Sequence, residues 1–295
     1  MTKSAIVTIC GRPNVGKSTL INAMIGEKIA IVSSKPQTTR NRVTGICTRG
    51  DTQIVFLDTP GFIRPRNKLG DYMVEVVRES VTDVDAVLFV VEPVAEIGPG
   101  EAALMEKLQT TEVPVILVIN KIDTVTKDAL LEVIANYSKA FPFCAVVPVS
   151  ARTGDGVEIL MEETEKFAAE GPHFFDDDMY TDQPERTICS ELIREKILRN
   201  LEKEIPHGTA VEIEKFTERD DGIVEIEATI FCEKASHKGI LIGKNGSMLR
   251  KIGSEAREDM ENLLGTKVYL QTWVKVKENW RDSDVLLKNL GYTAD

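Results

Sequence analysis

The stretch that decides the fold runs from Ala5 to Ser18 and reads AIVTICGRPNVGKS. Its first five residues are apolar or β-branched, which is typical of a buried strand. The eight residues from Gly11 to Ser18 match the pattern G-x-x-x-x-G-K-[ST], and a helix-like stretch follows them. A strand, a glycine-rich loop of this pattern and a helix together predict a loop that wraps phosphate groups.

The chemistry of phosphate binding explains why these residue types occur in the loop. Backbone N–H groups, unobstructed at Gly11 and Gly16, wrap the phosphates, and the helix N-terminus adds partial positive charge. Lys17 is predicted to reach the β- and γ-phosphates, and the Ser18 hydroxyl to coordinate Mg²⁺. The full predicted phosphate-binding set is Gly11, Arg12, Pro13, Asn14, Val15, Gly16, Lys17, Ser18, Thr19 and Gly61. A chance glycine-rich turn is the alternative, and the flanking elements disfavour it.

The rest of residues 1–170 alternates short apolar runs with amphipathic segments. The apolar runs are 5–9, 53–57, 86–91, 113–119 and 144–149, and the helix-like segments are 17–26, 69–80, 100–109, 127–140 and 156–168. This rhythm predicts an α/β domain with a mostly parallel sheet and helices on both faces.

The remaining residues predict a linker and a second domain. Gly171-Pro172, Pro184 and the run Asp176-Asp177-Asp178 indicate an acidic linker over 171–189. Residues 190–295 have the order α-β-β-α-α-β, with a helix from 190 to 204 and a hairpin turn at Arg219–Gly222, and predict a small α+β domain.

Composition sets limits on the class of protein. The 295 residues carry 36 Lys plus Arg and 47 Asp plus Glu, a net charge of −11, which disfavours indiscriminate binding of polyanions. The charge is uneven, because residues 234–254 hold five basic residues and no acidic one. The five cysteines are scattered and none has CxxC spacing, which indicates a reduced, cytoplasmic protein without a disulfide framework or a zinc site. No signal peptide or membrane-spanning run is expected.

A second motif predicts the base of the nucleotide. Asn120-Lys121-Ile122-Asp123 closes an apolar strand, at the sheet edge where ligands bind in open α/β folds. A carboxylate at Asp123 can accept from the N1–H and N2–H₂ of guanine, donors that adenine lacks. The predicted guanine-binding set is Asn120, Lys121, Asp123, Ser150, Ala151 and Arg152, with the Ala151 N–H directed at the guanine O6.

Two further segments lie where the γ-phosphate and Mg²⁺ are expected. Asp58-Thr59-Pro60-Gly61 ends an apolar strand, so Asp58 is predicted to hold Mg²⁺ and the Gly61 N–H to meet the γ-phosphate. At this point the chain resembles the P-loop GTPases of the translation-factor-related class. The resemblance implies a switch I at Gln37, Thr38, Thr39, Arg40 and Asn41 and a switch II at Asp58, Thr59, Pro60, Gly61 and Phe62. The Mg²⁺ ligands are then Ser18, Asp58 and Thr39, with Thr38 as the alternative to Thr39.

The position that follows Gly61 departs from the Ras-like pattern. A Gln there orients the attacking water in those enzymes, whereas Phe62 offers no polar group, so slow intrinsic hydrolysis is expected. The resemblance implies that Asn14 helps to hold a K⁺ ion that offsets developing charge. The alternative is that Asn14 only supports the turn of the loop.

A third motif lies in the second domain. Gly243-Lys244-Asn245-Gly246 has the form of the GxxG loop of KH domains, which clamps the backbone of about four single-stranded nucleotides. The acid-free surroundings and the element order are similar to a type II KH domain. The predicted RNA-binding set is Lys238, Gly239, Ile240, Ile242, Gly243, Lys244, Asn245, Gly246 and Arg250, with bases expected on Ile240, Ile242 and the second strand. An ordinary turn between helices is the alternative.

A P-loop GTPase domain joined to a C-terminal KH domain resembles the Era family over essentially the whole chain. The resemblance implies a GTP/GDP switch that binds the single-stranded 3′ end of 16S ribosomal RNA and assists assembly of the 30S subunit. It also implies a monomer, with Mg²⁺ as cofactor and K⁺ as a candidate activator. The implied location is the cytoplasm, with peripheral contact at the inner face of the cell membrane as an addition.

Other readings compete with this one. Der-type GTPases carry two G domains, whereas this chain has one G-x-x-x-x-G-K-[ST] motif and one NKxD motif; the tRNA-modification GTPases carry further domains. A metabolic P-loop kinase gives no reason for NKxD or GxxG, and stabilisation by GTP but not ATP would separate the two. An RNA chaperone whose hydrolysis is incidental is the third alternative.

Overall fold

A computed structural model describes residues 1–62 and 65–292. The last three residues of the predicted second domain lie outside the described residues. The chain divides into two compact units. Unit 1 comprises Met1–Val32, Thr39–Pro65 and Gly70–Asp182, and unit 2 comprises Ser33–Thr38, Arg66–Leu69 and Gln183–Asp295.

The described residues of the first half form strands and helices in alternation. In chain order they are β1 (Lys3–Gly11), α1 (Lys17–Ile25), β2 (Val43–Arg49), β3 (Thr52–Asp58), α2 (Lys68–Glu79), β4 (Ala86–Val91), α3 (Pro99–Leu108), β5 (Val115–Ile119), α4 (Lys127–Ala140), β6 (Ala145–Pro148), α5 (Val157–Glu165) and β7 (Ala169–Glu170). The sheet has the order β2-β3-β1-β4-β5-β6, and β7 pairs antiparallel with the start of β1. All neighbours along that order are parallel except β2 and β3, which confirms the predicted mostly parallel sheet.

The central strands are buried on both faces, because helices cover each side of the sheet. In β4, Leu88 and Val90 pack with α1 and α5, whereas Val87 and Phe89 pack with α3 and α4. Such burial explains why these strands read as continuous apolar runs. It also places the carboxyl ends of β1, β3, β4, β5 and β6 at one edge of the sheet, where loops carry the predicted site residues.

Two parts of this unit differ from the expectation. The edge strand β2 was not predicted, since its sequence has no apolar run. Its Gly45 lies where a side chain would clash with the ends of Ile21, Ile25 and Ile29. The predicted linker over 171–189 is bound to the sheet over its first part: Pro172 O accepts from Ser4 Oγ at 2.7 Å, and Tyr180 O accepts from the Ile46 N–H at 2.8 Å.

The second unit has the predicted order α-β-β-α-α-β, followed by one more helix. Its elements are α6 (Glu185–Asn200), β8 (Thr209–Glu218), β9 (Val224–Cys232), α7 (Ala235–Ile242), α8 (Ser247–Leu264), β10 (Val268–Val276) and α9 (Asp284–Asn289). The strands form a sheet of order β10-β9-β8. Helix α6 begins at Glu185 rather than at 190. Pro184 is its N-cap, and a proline before the first turn removes no hydrogen bond from the helix, because the first N–H groups of a helix have no partner within it. In the described part of the chain, no helix is both long and apolar enough to cross a membrane.

Candidate GTP and RNA sites

The phosphate loop joins β1 to α1 in a conformation that glycine makes accessible. Gly16 has a φ of 96°, and a side chain there would also run into the amide of Asn120. Asn14 adopts a left-handed conformation with a φ of 66°, which asparagine tolerates better than most residues. Helix α1 follows with no acidic residue in its first turn, so its N-terminus keeps its affinity for anions.

Lys17 is a buried cation at the base of the loop. Its Nζ donates to the carbonyls of Gly11 at 3.2 Å and Arg12 at 3.1 Å. Burial lowers the pKa of Lys17, and the nearby Asp58 carboxylate opposes that shift. The ammonium is therefore held at the loop by carbonyl groups whose hydrogen bonds it can exchange for phosphate oxygens.

Three oxygen-bearing side chains meet at the ends of β3 and α1. The Ser18 hydroxyl lies 2.9 Å from the Thr39 hydroxyl and donates to Asp58 Oδ2 at 2.8 Å. Thr39 Oγ1 lies 3.5 Å from the same carboxylate oxygen. Thr38 does not join them, because its hydroxyl donates to Lys35 O at 2.7 Å.

The Asp58 carboxylate is fully buried, and burial raises its pKa to about 6 although Lys17, Ser18 and Thr39 stabilise the charged form. Its Oδ1 has no hydrogen-bond partner in the described structure. Hydroxyl and carboxylate oxygens are the ligands that Mg²⁺ prefers, and a buried anionic oxygen without a partner fits a cation at this place. The cluster therefore has the donor chemistry of a magnesium site.

The segment after Asp58 packs closely on the phosphate loop. The Thr59 hydroxyl donates to Ile9 O at 2.9 Å, and a side chain at Gly61 would come within 2.7 Å of Pro13. The Phe62 N–H donates to Gly11 O at 3.1 Å. The ring of Phe62 packs against the apolar cluster of α3 and α4, with Lys107 Nζ 4.7 Å from its centroid.

Asn120 joins three loops at the sheet edge. The side chain is buried; its Nδ2 donates to Val15 O at 2.8 Å, and its Oδ1 accepts from the N–H groups of Lys121 at 2.8 Å and Ala151 at 3.0 Å. The N–H that was expected to meet the guanine O6 therefore has a protein partner here. Asn120 sets the spacing between the phosphate loop and the NKxD and Ser-Ala loops.

Asp123 is oriented by its neighbours on the Ser-Ala loop. Its Oδ1 accepts from Ser150 Oγ at 2.7 Å, and its Oδ2 pairs with the exposed guanidinium of Arg152 at 2.5 Å. The hydrogen bond from Ser150 is the main reason that the pKa of Asp123 is lowered. The carboxylate is therefore ionised at neutral pH and presented at the edge of the sheet.

Two acidic residues of this unit were missed by the sequence analysis. Glu92, which directly follows β4, pairs with Lys121 and lies 3.9 Å from Arg12; the buried Glu101 of α3 pairs with the Arg12 Nε. The Arg12 side chain is thus directed at carboxylates, which leaves only its backbone for the predicted phosphate contact. Glu92 could have been identified from the sequence, because it directly follows an apolar strand and ligands bind at the carboxyl ends of such strands.

The GxxG segment joins α7 to α8 as predicted. Gly243 has a φ of 71°, and a side chain there would come within 2.8 Å of the Met248 N and Cβ. Lys244 and Asn245 are exposed, so their polar groups face solvent between Gly243 and Gly246, two glycines with positive φ.

A groove of about 490 Å³ begins at this segment. Its lining comes from the GxxG segment, α8 and β10: Gly246, Leu249, Arg250, Gly253, Ser254, Arg257, Val268, Tyr269, Leu270 and Thr272. Ile240, Ile242 and the central strand β9 are not among the residues that line this groove, which lies between α8 and the edge strand β10, so the expectation that they carry the bases stays a prediction. Ile240 is instead half-exposed on α7, and Lys238 and Gly239 lie on the same helix. The groove presents two arginines and a half-exposed tyrosine ring, and no acidic side chain is among its described lining residues.

Curated relatives match the chain from end to end. GTPase Era of Ruminiclostridium cellulolyticum is 51% identical over 293 residues, covering 99% of this chain and 98% of the relative. GTPase Era of Clostridium kluyveri is 53% identical over 292 residues, covering 99% of this chain and all of the relative. This chain belongs to the Era family of GTPases.

Family profiles and solved structures agree with that assignment. The profile described as 50S ribosome-binding GTPase matches residues 6–121, and that described as KH domain matches residues 204–281. Era of Aquifex aeolicus, solved as a point variant with GDP and aluminium fluoride, has a TM-score of 0.96 and 36% identity, covering 99% of this chain and all of that one. An Era structure with MgGDPNP and nucleotides 1506–1542 of 16S ribosomal RNA also has a TM-score of 0.96 and 36% identity, over the full length of both chains. The predicted Era resemblance and both fold classes are confirmed.

The Asn120 contacts generate a stability prediction. In this Era-family chain, Asn120→Ala leaves one buried carbonyl and two N–H groups without their partner, and each such group costs about 1–3 kcal/mol. We expect thermal unfolding at a clearly lower temperature. Asn136→Ala is the matched control, because the half-buried Asn136 side chain donates to a single loop carbonyl, Ala95 O, at 3.1 Å. Equal unfolding temperatures for the two variants would contradict this role of Asn120.

Proposed function

We propose that this Era-family chain is a GTP-hydrolysing switch that binds the single-stranded 3′ end of 16S ribosomal RNA and assists assembly and maturation of the 30S subunit. The observation that carries the proposal is the presence, in one chain, of the Ser18–Thr39–Asp58 oxygen cluster and of a basic groove that begins at a GxxG loop. The Era structure with MgGDPNP and 16S ribosomal RNA supports it through 36% identity over both full chains.

The phosphate end of GTP is assigned to the loop from Gly11 to Thr19, with Lys17 at the β- and γ-phosphates. Ser18, Thr39 and Asp58 would hold Mg²⁺, which supplies positive charge to the phosphates when bound. Thr39 is preferred to Thr38 because its hydroxyl lies beside Ser18. The Gly61 N–H is assigned to the γ-phosphate, and its close approach to Pro13 makes glycine the suitable residue.

The base is assigned to the NKxD and Ser-Ala loops. Asp123 accepts from the guanine N1–H and N2–H₂, and Arg152 gives up its contact with Oδ2 when the base arrives. The Lys121 side chain lies along the phosphate loop, with its Nζ 2.6 Å from Asn14 O, so its stem can support the base plane. Ser150 keeps the carboxylate oriented from behind, and Ala151 borders the base beside Asn120.

The Asp123 assignment predicts a change of base preference. Asp123→Asn replaces a two-fold acceptor by a group with one acceptor and one donor, and charged hydrogen bonds are worth about 1.5–3 kcal/mol each. We expect GTP affinity to fall at least about tenfold and xanthosine triphosphate, which has a carbonyl in place of the N2 amino group, to bind better than GTP. Arg152→Ala is the control that leaves the carboxylate intact and should keep the preference for GTP; nucleotide titration measures both. Unchanged preference in Asp123→Asn would remove Asp123 from the base site.

The hydrolytic step is proposed to lack a side chain that orients water. Phe62 occupies the position after Gly61 and packs against α3 and α4, so no polar group of this residue reaches the phosphates. Asn14 lies at the tip of the phosphate loop with an exposed side chain, and we assign it to a K⁺ ion that offsets charge beside the phosphates.

The K⁺ assignment predicts cation-dependent hydrolysis. At equal ionic strength, hydrolysis should be at least about tenfold faster with K⁺ than with Na⁺, because electrostatic stabilisation of developing charge has effects of that size or larger. Asn14→Ala should lose the difference between the two cations while it still binds GDP. Equal rates of the unmodified protein in K⁺ and Na⁺ would contradict the assignment and leave Asn14 as a turn residue.

The RNA end of the proposal rests on the GxxG loop and its groove. Phosphates can approach the loop closely at Gly243 and Gly246, where Lys244 adds charge and Asn245 a hydrogen-bonding group. Bases would lie in the groove, where Tyr269 offers a half-exposed ring and Arg250 and Arg257 offer planar cations for stacking. Lys238, Gly239, Ile240 and Ile242 on α7 extend the contact surface beyond the groove.

Reversing the charge of the loop tests its contact with RNA. The double variant K244D/N245D changes the loop charge by three units and should weaken binding of a single-stranded oligonucleotide with the 16S 3′-end sequence at least about tenfold. The chain offers a matched control, because Lys288-Asn289 is the same dipeptide, also exposed, on α9. K288D/N289D should bind like the unmodified protein. Equal loss in both double variants would mean that overall charge, and not the GxxG loop, governs binding.

We further propose that GTP orders switch I and the region after Asp58 in the arrangement that binds RNA, and that hydrolysis releases the RNA. The protein would act as a cytoplasmic monomer on the 30S subunit. Peripheral contact with the inner face of the membrane is proposed on the family resemblance alone.

A further inference from the structure

The segment that leads into Thr39 belongs to unit 2 and is held by its first helix. Lys35 Nζ donates to the carbonyls of Leu198, at 2.5 Å, and Leu201. These carbonyls lie at the end of α6, where the last turn of a helix leaves acceptors unpaired and where a cation is favourable. The contact joins residues 33–38 to the C-terminal end of α6.

Arg194 forms the second contact, one helical turn earlier. Its Nη2 donates to Thr38 O, and its Nη1 lies 3.5 Å from Gln37 O. The side chain is 1% exposed, and its Nε donates to Glu191 Oε1 at 2.8 Å. A buried guanidinium must have its donors occupied, and here two of them are occupied by carbonyls of the segment.

The local conformation of the segment explains why it needs such contacts. Gln37 has a φ of 60°, in the left-handed region that non-glycine residues seldom adopt. Its carbonyl and the next one accept from Arg194, and the Thr38 hydroxyl donates to Lys35 O. The residue that follows is Thr39, whose hydroxyl lies 2.9 Å from Ser18. One peptide bond therefore separates a carbonyl fixed by Arg194 from a ligand of the proposed magnesium site.

Helix α6 is also bound to the helix that lines the RNA groove. Lys196 Nζ pairs with Asp259 Oδ2 at 2.5 Å, and Asn200 Nδ2 donates to Glu255 Oε2 at 2.6 Å. Both acceptors lie on α8, the helix that carries Arg250 and Arg257. Helix α6 thus contacts both α8 and the segment before Thr39, so a displacement of α8 on binding RNA can reach Arg194 and Lys35 through α6.

We propose that Arg194 is a positioning residue for the GTPase reaction, which fixes the Gln37–Thr38 backbone and so places Thr39, and that it transmits RNA occupancy of the groove to the nucleotide site. The inference rests on the proposed function, since it assigns the regulation of the same two sites. Arg194 acts through Thr39, and Lys35 supports it from the segment side.

Three variants test the proposal. Arg194→Ala removes the contacts with the Gln37 and Thr38 carbonyls, Lys35→Ala removes the separate contacts of the same segment with the end of α6 without emptying a buried position, and Arg194→Lys keeps a donor. Arg199→Ala is the matched control, because Arg199 lies on the same helix and pairs there with Glu195 at 2.7 Å. The measurements are kcat and KM for GTP hydrolysis, the Kd for GDP, and the ratio of RNA affinities with a non-hydrolysable GTP analogue and with GDP.

Arg194→Ala and Lys35→Ala are expected to lower kcat about tenfold, the loss expected for one charged hydrogen bond, with the Kd for GDP unchanged. Their RNA-affinity ratio should approach one, Arg194→Lys should recover part of both losses, and Arg199→Ala should behave as the unmodified protein. Unchanged kcat and an unchanged ratio in Lys35→Ala overturn the proposal, even where Arg194→Ala folds poorly. A ratio of one in the unmodified protein contradicts the proposed switch instead, and the kcat values still decide the role of Arg194.

Discussion

A buried carboxylate at the end of a central strand is the constraint on which the nucleotide site depends. Asp58 is fully buried, and one of its oxygens has no partner among the described residues. Ser18 and Thr39 donate to the other oxygen, and Lys17 supplies the nearest positive charge. Because a buried charge is costly unless it is paired, the loop after β1, the segment before β2 and the end of β3 must converge here. A cation at this place would relieve the cost and draw the three segments together.

Thr39 is the residue of this cluster through which the proposed switch would respond to the bound nucleotide. Thr39 contributes a hydroxyl to the cluster, yet the two residues before it are held by Arg194 of unit 2. A ligand can shift an equilibrium only through its differential affinity for two states. If Thr39 binds Mg²⁺ beside the γ-phosphate as proposed, the free energy of its position would depend on the nucleotide and on the backbone that Arg194 holds, so such a difference can arise there.

The sequence predicted the elements whose chemistry is local. Short-range geometry dictates two of the patterns: a strand, a glycine-rich loop and the start of a helix within fourteen residues, and Asn120–Asp123 at the end of an apolar run. Edge strand β2 escaped prediction because its packing depends on Gly45 meeting side chains of α1, a contact that no periodicity reveals. The groove beside β10 was not predicted because strand order is a long-range property: β10 is the next strand after β9 in the chain and lies at the edge of the sheet, and α8 completes the groove. Glu92, Glu101 and Arg194 were missed for the same reason, since each acquires its role from a partner far away in the sequence.

The central claim is that the nucleotide bound at the Asp58 site controls the affinity of the GxxG groove for RNA. The most direct measurement is the dissociation constant of a fluorescent oligonucleotide with the 16S 3′-end sequence, taken on the full chain with Mg²⁺ and either GDP or a non-hydrolysable GTP analogue. The account predicts tighter binding with the analogue, by about the 5- to 150-fold typical of coupling between two sites. Equal dissociation constants in the two nucleotide states would contradict it.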